Sequence, residues 1–187
     1  MRKAELRSYY LNKRKTLSAD EVISFSCKIF DQFKLNFLLK EGMKIHIFLS
    51  IGKFKEIDTR SFIQELFQQN IRVFVPRLKG NEQETVEITP NSQYVTNSLG
   101  IDEPIGESSS VIDFDYILVP LVYCDFTGNR IGYGKGFYDK FFKKISPSKK
   151  IGLSIFSPNK LISDANDFDV RLDYLVTPTA VLSFGKS

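Results

Sequence analysis

The chain of 187 residues reads as an α/β protein with a mostly parallel sheet. Three observations carry that expectation. Short runs rich in β-branched and aromatic residues alternate along the chain with amphipathic stretches of helical period, the pattern of strands joined by helices. The run Tyr116-Ile117-Leu118-Val119-Pro120 is apolar throughout, as in a buried strand. There is no internal repeat and no low-complexity linker, and the length suits one domain spanning 1–187 with a sizeable core.

The elements follow in order. Residues 3–15 read as helix, with Leu6, Tyr10 and Leu17 on one side and Lys3, Arg7 and Arg14, at offsets of four and seven, on another. Ser18-Ala19-Asp20-Glu21 is a capping box that opens a second helix to about residue 39, with Val22, Phe25, Ile29 and Phe33 as its apolar stripe. The two form an N-terminal helical hairpin that covers the sheet, closed by Gly42. A strand is predicted over 44–50, and Asp58-Thr59 caps a helix to about residue 69. The next strand, 71–75, is stopped by Pro76, and 85–88 forms another short one. The polar stretch 90–110 reads mostly as loop. Strands are predicted at 116–119, 150–154, 174–177 and 180–183, with a helix from Gly136 onward. Ligands of such sheets bind beyond the carboxyl ends of the strands, which gathers the loops after Leu49, Pro120 and Ser154.

Composition excludes several function classes. Hydrophobic content of 42% and charged content of 26% are ordinary for a globular domain. No apolar run approaches the ~20 residues of a membrane span, and the N-terminus lacks the apolar core of a signal peptide. Cys27 and Cys124 are too few and too distant for a disulfide framework or a Cys-x-x-Cys metal site, so a cytoplasmic location is expected. Residues 1–15 hold six cations against Glu5, a surplus of five. With +4 overall the remaining chain stands near −1, which argues against a nucleic-acid-coating protein. The single histidine, His46, alternates with Ile45 and Ile47 and reads as packed. A Ser-His-Asp triad or a histidine-rich zinc site is thereby excluded. Cys124 likewise reads as a packed thiol, without a histidine to activate it. What remains is Arg, Lys, Asp, Glu and backbone amides, a set suited to phosphoryl transfer.

The most informative segment is Gly128-Asn-Arg-Ile-Gly-Tyr-Gly-Lys-Gly-Phe-Tyr-Asp139, with four glycines, two cations and a carboxylate. A strand leading through a glycine-rich turn into a helix can hold phosphate, because glycine lets backbone N–H groups approach an anion. Lys135 and Arg130 add full charges, and Asp139 can hold a divalent cation. The spacing is neither a Walker A loop, since Lys135 is followed by Gly136, nor a dinucleotide fingerprint, since the glycines alternate at 132, 134 and 136. The expectation is a nucleotide site. A non-catalytic nucleotide- or RNA-binding module using the basic helix and this loop is the alternative.

Four separated pieces resemble the 5-formyltetrahydrofolate cyclo-ligase family in the family's order: Lys3-Ala-Glu-Leu-Arg7; Ile47-Phe-Leu-Ser50 leading to Glu56-Ile-Asp-Thr59; the glycine segment; and Asp167-Phe-Asp-Val-Arg-Leu-Asp173. Residues 121–124 and Phe137 depart from the family pattern, and Phe137 removes any hydroxyl role there. The resemblance implies an α/β sandwich with helices on both sheet faces. It further implies an ATP- and Mg²⁺-dependent conversion of 5-formyltetrahydrofolate to 5,10-methenyltetrahydrofolate through a phosphorylated formyl group. ATP is expected on Lys3, Arg7, Arg130, Gly132, Tyr133, Gly134, Lys135, Gly136, Phe137 and Tyr138, with Lys135 and Arg130 catalytic. Leu49 and Glu56 are assigned to the folate, and Asp139 and Asp169 to Mg²⁺, with Asp167 and Asp173 near enough to replace Asp169. The expected partners are the two substrates alone, with no nucleic acid and no membrane, for a monomeric protein.

Overall fold

Local rules account for the first two helices. In the helix Ala19–Asn36, the Ser18 hydroxyl accepts from the Glu21 N–H at 3.1 Å while Glu21 accepts from the Ser18 N–H at 2.7 Å, the reciprocal cap the sequence spells. The helix Lys3–Lys15 buries Leu6, Tyr10 and Arg14. The computed structural model describes residues 1–80, 82–97, 101–145 and 148–185. Its helices are α1 (Lys3–Lys15), α2 (Ala19–Asn36), α3 (Arg60–Gln68) and α4 (Phe137–Phe142). The strands are β1 (Lys44–His46), β2 (Arg72–Lys79), β3 (Glu82–Ile88), β4 (Tyr94–Thr96), β5 (Asp102–Pro104) and β6 (Tyr116–Pro120). They continue with β7 (Tyr123–Cys124), β8 (Arg130–Ile131), β9 (Lys149–Leu153), β10 (Tyr174–Val176) and β11 (Val181–Ser183).

Seven strands form the main sheet in the order β11-β10-β9-β6-β1-β2-β3. The five inner strands are parallel, and the edges β3 and β11 pair antiparallel. Side chains alternate between two cores, as period 2 requires. Ile45, Val73, Leu118, Ile151 and Val176 meet α2 and α3 on one face. Phe74, Ile117, Val119 and Leu175 meet Phe141 of α4 on the other. The expectation of helices on both faces holds. The N-terminal hairpin does not act as one cover, however: α2 lies on the sheet, while α1 packs Leu6 and Tyr10 against Val122, Tyr123 and Ile131 in a third cluster.

Four further differences have physical causes. β2 runs through Pro76 to Lys79. Phe74, of the same parity as Pro76, turns its carbonyl toward the β1 side, where it accepts from the Ile47 N–H at 2.8 Å. The nitrogen of Pro76 therefore faces the β1 side, and the ladder with β3, which continues to Lys79, loses no bond to it. In the polar stretch 90–110, β4 and β5 pair as a hairpin; residues 98–100 lie outside the described residues. The glycine segment begins within a second small hairpin, β7–β8, whose second strand belongs to it. The helix expected from Gly136 onward, α4, spans only six residues, so its dipole adds little.

The chain moves from β1 to β2 on one side, and β6 joins β1 on the other. The direction of winding therefore reverses at β1, and the carboxyl ends of β1 and β6 flank the crevice where such sheets take ligands.

Candidate active site

The glycine segment is aimed by a buried carboxylate the sequence reading did not single out. Asp125, 1% exposed, accepts from the Thr127 N–H at 2.9 Å, the Thr127 hydroxyl at 2.7 Å, the Asn129 N–H at 3.1 Å and the Ile162 N–H at 3.1 Å. This Asx-type network closes the β7–β8 turn. Gly128 sits there at φ +84°, and a Cβ on it would lie 2.9 Å from the Leu172 carbonyl oxygen and from the Phe184 ring. Only glycine satisfies both constraints. Gly134 at φ +90° and Gly136 at φ +66° turn the chain from β8 into α4.

Beyond the strand ends lies a cavity of about 640 Å³, the volume of a nucleotide-sized ligand site. Lys3, Arg7, Arg130, Gly132, Tyr133, Gly134, Lys135, Gly136, Phe137, Tyr138, Asp139 and Asp169 all line it. Leu49 and Glu56 line an adjoining cavity of about 140 Å³, with Phe48 and Pro76. The two cavities share Ile51, Leu78, Gln83, Ile101, Pro120, Tyr133 and Tyr138 as walls. Of the three candidate acids in 167–173, Asp169 is the one on the cavity; Asp173 instead accepts from the Lys150 N–H at 2.8 Å and pairs with its ammonium at 3.0 Å.

The charged groups are held in place. Arg130, with a side chain 7% exposed, pairs with Asp139 at 2.7 Å and donates to the Val170 carbonyl. Asp139 Oδ1 also accepts from the Val170 N–H at 3.1 Å. Lys3 pairs with Asp169 at 2.5 Å, and Arg7 donates to the Gly132 carbonyl at 2.8 Å. Burial pulls the Asp169 carboxyl up, but hydrogen bonds from Lys3 and the Asn166 N–H, with the charges of Lys3 and Arg130, hold it below the usual range. Lys135 is exposed on the loop and, among the described residues, has no hydrogen bond or ion pair.

Glu56 is 6% exposed. Its Oε2 accepts from the Ile51 N–H at 2.7 Å and its Oε1 from the Tyr133 hydroxyl at 2.5 Å. Burial pushes its carboxyl up, opposed by these two hydrogen bonds and by the charge of Arg14. The Tyr133 hydroxyl in turn accepts from Arg14 at 2.9 Å. Arg14 was grouped at the sequence level with the cationic face, yet it is 4% exposed. The signal was present: positions 6, 10 and 14 share one helical stripe.

His46 and Cys124 are packed, as their sequence context suggested. Desolvation pushes the His46 imidazole down to about 3, and the ring lies among Phe114, Phe141 and Tyr138 without lining either cavity. Burial raises the Cys124 thiol, so it stays protonated and unreactive.

Fold and site together define an α/β protein that carries a cation-lined cavity and a smaller carboxylate-bearing one at the switch point of its sheet. Comparison with known proteins narrows this. The sequence pattern of the 5-formyltetrahydrofolate cyclo-ligase family matches residues 1–178. A probable 5-formyltetrahydrofolate cyclo-ligase of Schizosaccharomyces pombe is 30% identical over 162 residues, covering 76% of this chain and 78% of its own. The Escherichia coli 5-formyltetrahydrofolate cyclo-ligase is 29% identical over 145 residues, covering 73% and 79%. The NMR structure of Aquifex aeolicus 5,10-methenyltetrahydrofolate synthetase superposes with a TM-score of 0.83 at 31% identity, over 100% of this chain and 96% of that one. A Mycoplasma pneumoniae 5,10-methenyltetrahydrofolate synthetase, 24% identical with a TM-score of 0.72 over 95% and 99%, shares the fold. The chain belongs to the 5-formyltetrahydrofolate cyclo-ligase family, and it is a ligase of folate one-carbon metabolism.

Proposed function

We propose that the protein uses ATP and Mg²⁺ to close 5-formyltetrahydrofolate to 5,10-methenyltetrahydrofolate, releasing ADP and phosphate. The observation that carries this reading is the pair of joined cavities. One is lined by four cations and a glycine loop, the other by the buried Glu56, the β5 carboxylates Asp102 and Glu103 and apolar walls, so a triphosphate and a folate would meet across Tyr133 and Tyr138.

The chemistry needs alignment and charge neutralisation more than a covalent nucleophile. An N-formyl oxygen is a poor leaving group. When it attacks the γ-phosphorus, the bond to ADP breaks and an iminium phosphate forms. N10 then attacks the formyl carbon and gives its proton to water. The C–O bond breaks, phosphate departs with the formyl oxygen, and the five-membered ring is closed. Lys135, Arg130 and the amides of the 132–137 loop would hold the triphosphate and offset its charge, Lys3 and Arg7 approaching from α1. Glu56 would accept from the pterin's amino and ring N–H groups, with Leu49 and Phe48 against the ring.

The donor set suits Mg²⁺, which takes one or two carboxylates and completes its shell with water and phosphate oxygens. Asp139 and Asp169 supply two hard carboxylates on one cavity, and among the described residues there is no cluster of three or more acidic, His or Cys side chains that would favour a fully protein-bound ion. When bound there, Mg²⁺ would neutralise the phosphates. Residue by residue, Asp139 holds Arg130 and the Val170 N–H, and Asp169 holds Lys3. The test is methenyltetrahydrofolate absorbance from 5-formyltetrahydrofolate with and without ATP and Mg²⁺. ATP-dependent product is expected; product without ATP, or none with it, refutes the reading.

A further inference from the structure

Three cations of α1 point toward the site, and the reading above uses only Lys3 and Arg7. Arg14 lies two turns beyond Arg7 and reaches a different part. Its NH2 donates to the Leu121 carbonyl at 2.6 Å and its NH1 to the Tyr133 hydroxyl at 2.9 Å, while that hydroxyl donates to Glu56 Oε1 at 2.5 Å. A tyrosine hydroxyl has one proton. Accepting from Arg14 commits that proton to Glu56, so the chain has a single direction: guanidinium, hydroxyl, carboxylate.

The placement is costly for a merely structural residue. Arg14 continues the buried stripe of Leu6 and Tyr10, where an apolar side chain would pack, and its Nε is buried without a partner among the described residues. What balances that cost is the carboxylate at the far end. We infer that Arg14 is a positioning residue for the folate side of the reaction: through the Tyr133 hydroxyl it keeps Glu56 charged and oriented toward the pterin. This rests on the assignment of Glu56 to the folate.

Other groups also face Glu56. The Ile51 N–H, from the segment after β1, fixes the second oxygen. Tyr138 of α4 faces it with a buried hydroxyl that has no partner among the described residues. Asp102 and Glu103 of β5 also line its cavity. Burial raises the Glu56 carboxyl, and Arg14 is the cation whose charge opposes that rise. Removing the cation therefore raises it further, so a larger share of Glu56 is neutral at a given pH.

The experiment compares Arg14→Met, Tyr133→Phe and Glu56→Gln in the full-length protein, with KM for each substrate and the pH profile of kcat/KM for 5-formyltetrahydrofolate. Arg14→Met should raise the folate KM by about tenfold, leave the ATP KM unchanged and move the acid limb to higher pH; Tyr133→Phe should move the limb the same way and raise the folate KM more than the ATP KM. Arg14→Lys should recover part of the limb. In the Glu56→Gln background the acid limb should be absent, and adding Arg14→Met should change nothing further. Thermal melting of each variant identifies any that fails to fold, in which case Arg14→Lys and Tyr133→Phe decide. An acid limb unmoved in Arg14→Met and Tyr133→Phe, or an ATP KM raised as much as the folate KM, overturns the inference while leaving Glu56 on the folate. A folate KM unchanged in Glu56→Gln overturns the folate assignment itself.

Discussion

Replacing Lys135 with Ala isolates the phosphate chemistry from the fold. Four cations line the larger cavity, and three of them are committed: Lys3 to Asp169, Arg7 to the Gly132 carbonyl, Arg130 to Asp139 and the Val170 carbonyl. Among the described residues Lys135 has no such bond and stands exposed on the loop. Its truncation removes no packing and orphans no buried partner, so stability should change by less than about 0.5 kcal/mol. Transition-state stabilisation is another matter. A single donor aimed at developing phosphoryl charge is worth about 3 kcal/mol, a loss of roughly 150-fold in turnover. The assay is the initial rate of methenyltetrahydrofolate formation across an ATP titration, alongside urea unfolding of the same preparation. Arg130→Ala cannot serve this purpose, because it strips Asp139 of its partner and perturbs the loop itself. Turnover within threefold of the parent would refute the reasoning. So would a fall in unfolding midpoint large enough to account for the lost rate.

Two other perturbations address the metal and the scaffold. Asp139→Asn keeps an oxygen for Arg130 and the Val170 N–H but loses the charge, so stability should fall by about 1 kcal/mol and the Mg²⁺ needed for half-maximal activity should rise. A Mg²⁺ titration that is unmoved in this variant but shifted in Asp167→Asn would relocate the ion. Gly152→Ala tests the sheet beneath the site: the new Cβ would lie 2.5 Å from Leu172 Cδ1, 2.6 Å from Leu121 Cδ2 and 3.2 Å from Leu175 Cδ1. Overpacking of this kind costs about 1–3 kcal/mol. It should lower the urea midpoint without changing the slope, and Gly152→Ala with Leu172→Ala should recover part of the loss.

The alternation of main-sheet strands with helices, the Ser18 capping box, the burial of His46 and the glycine turn after β8 were legible along the chain. In each case the determining residues lie within a few positions of one another: Ser18 with Glu21, Ile45 with Ile47, the alternating glycines from 132 to 136. A cap, an apolar alternation or a glycine turn is specified by local geometry, which the sequence carries directly. The prediction that Pro76 would stop its strand failed because the missing N–H faces β1 while β3, on the other side, carries the strand on to Lys79.

The same division separates Lys3 and Arg7 from Arg14. Their helical face was readable from spacing alone. The stripe of positions 6, 10 and 14 put Arg14 on the buried face, but that it would meet Glu56 through Tyr133 depends on α1 leaving α2 to pack on the β7–β8 hairpin. Tyr133 lies 119 residues from Arg14 and 77 from Glu56. Separations of that size are closed by the packing of whole elements, in which the burial of Leu6, Tyr10 and Ile131 selects the arrangement and the polar groups are carried along with it. A one-dimensional pattern assigns a side chain to a face; which neighbour that face meets is decided only when the apolar surfaces have chosen their partners.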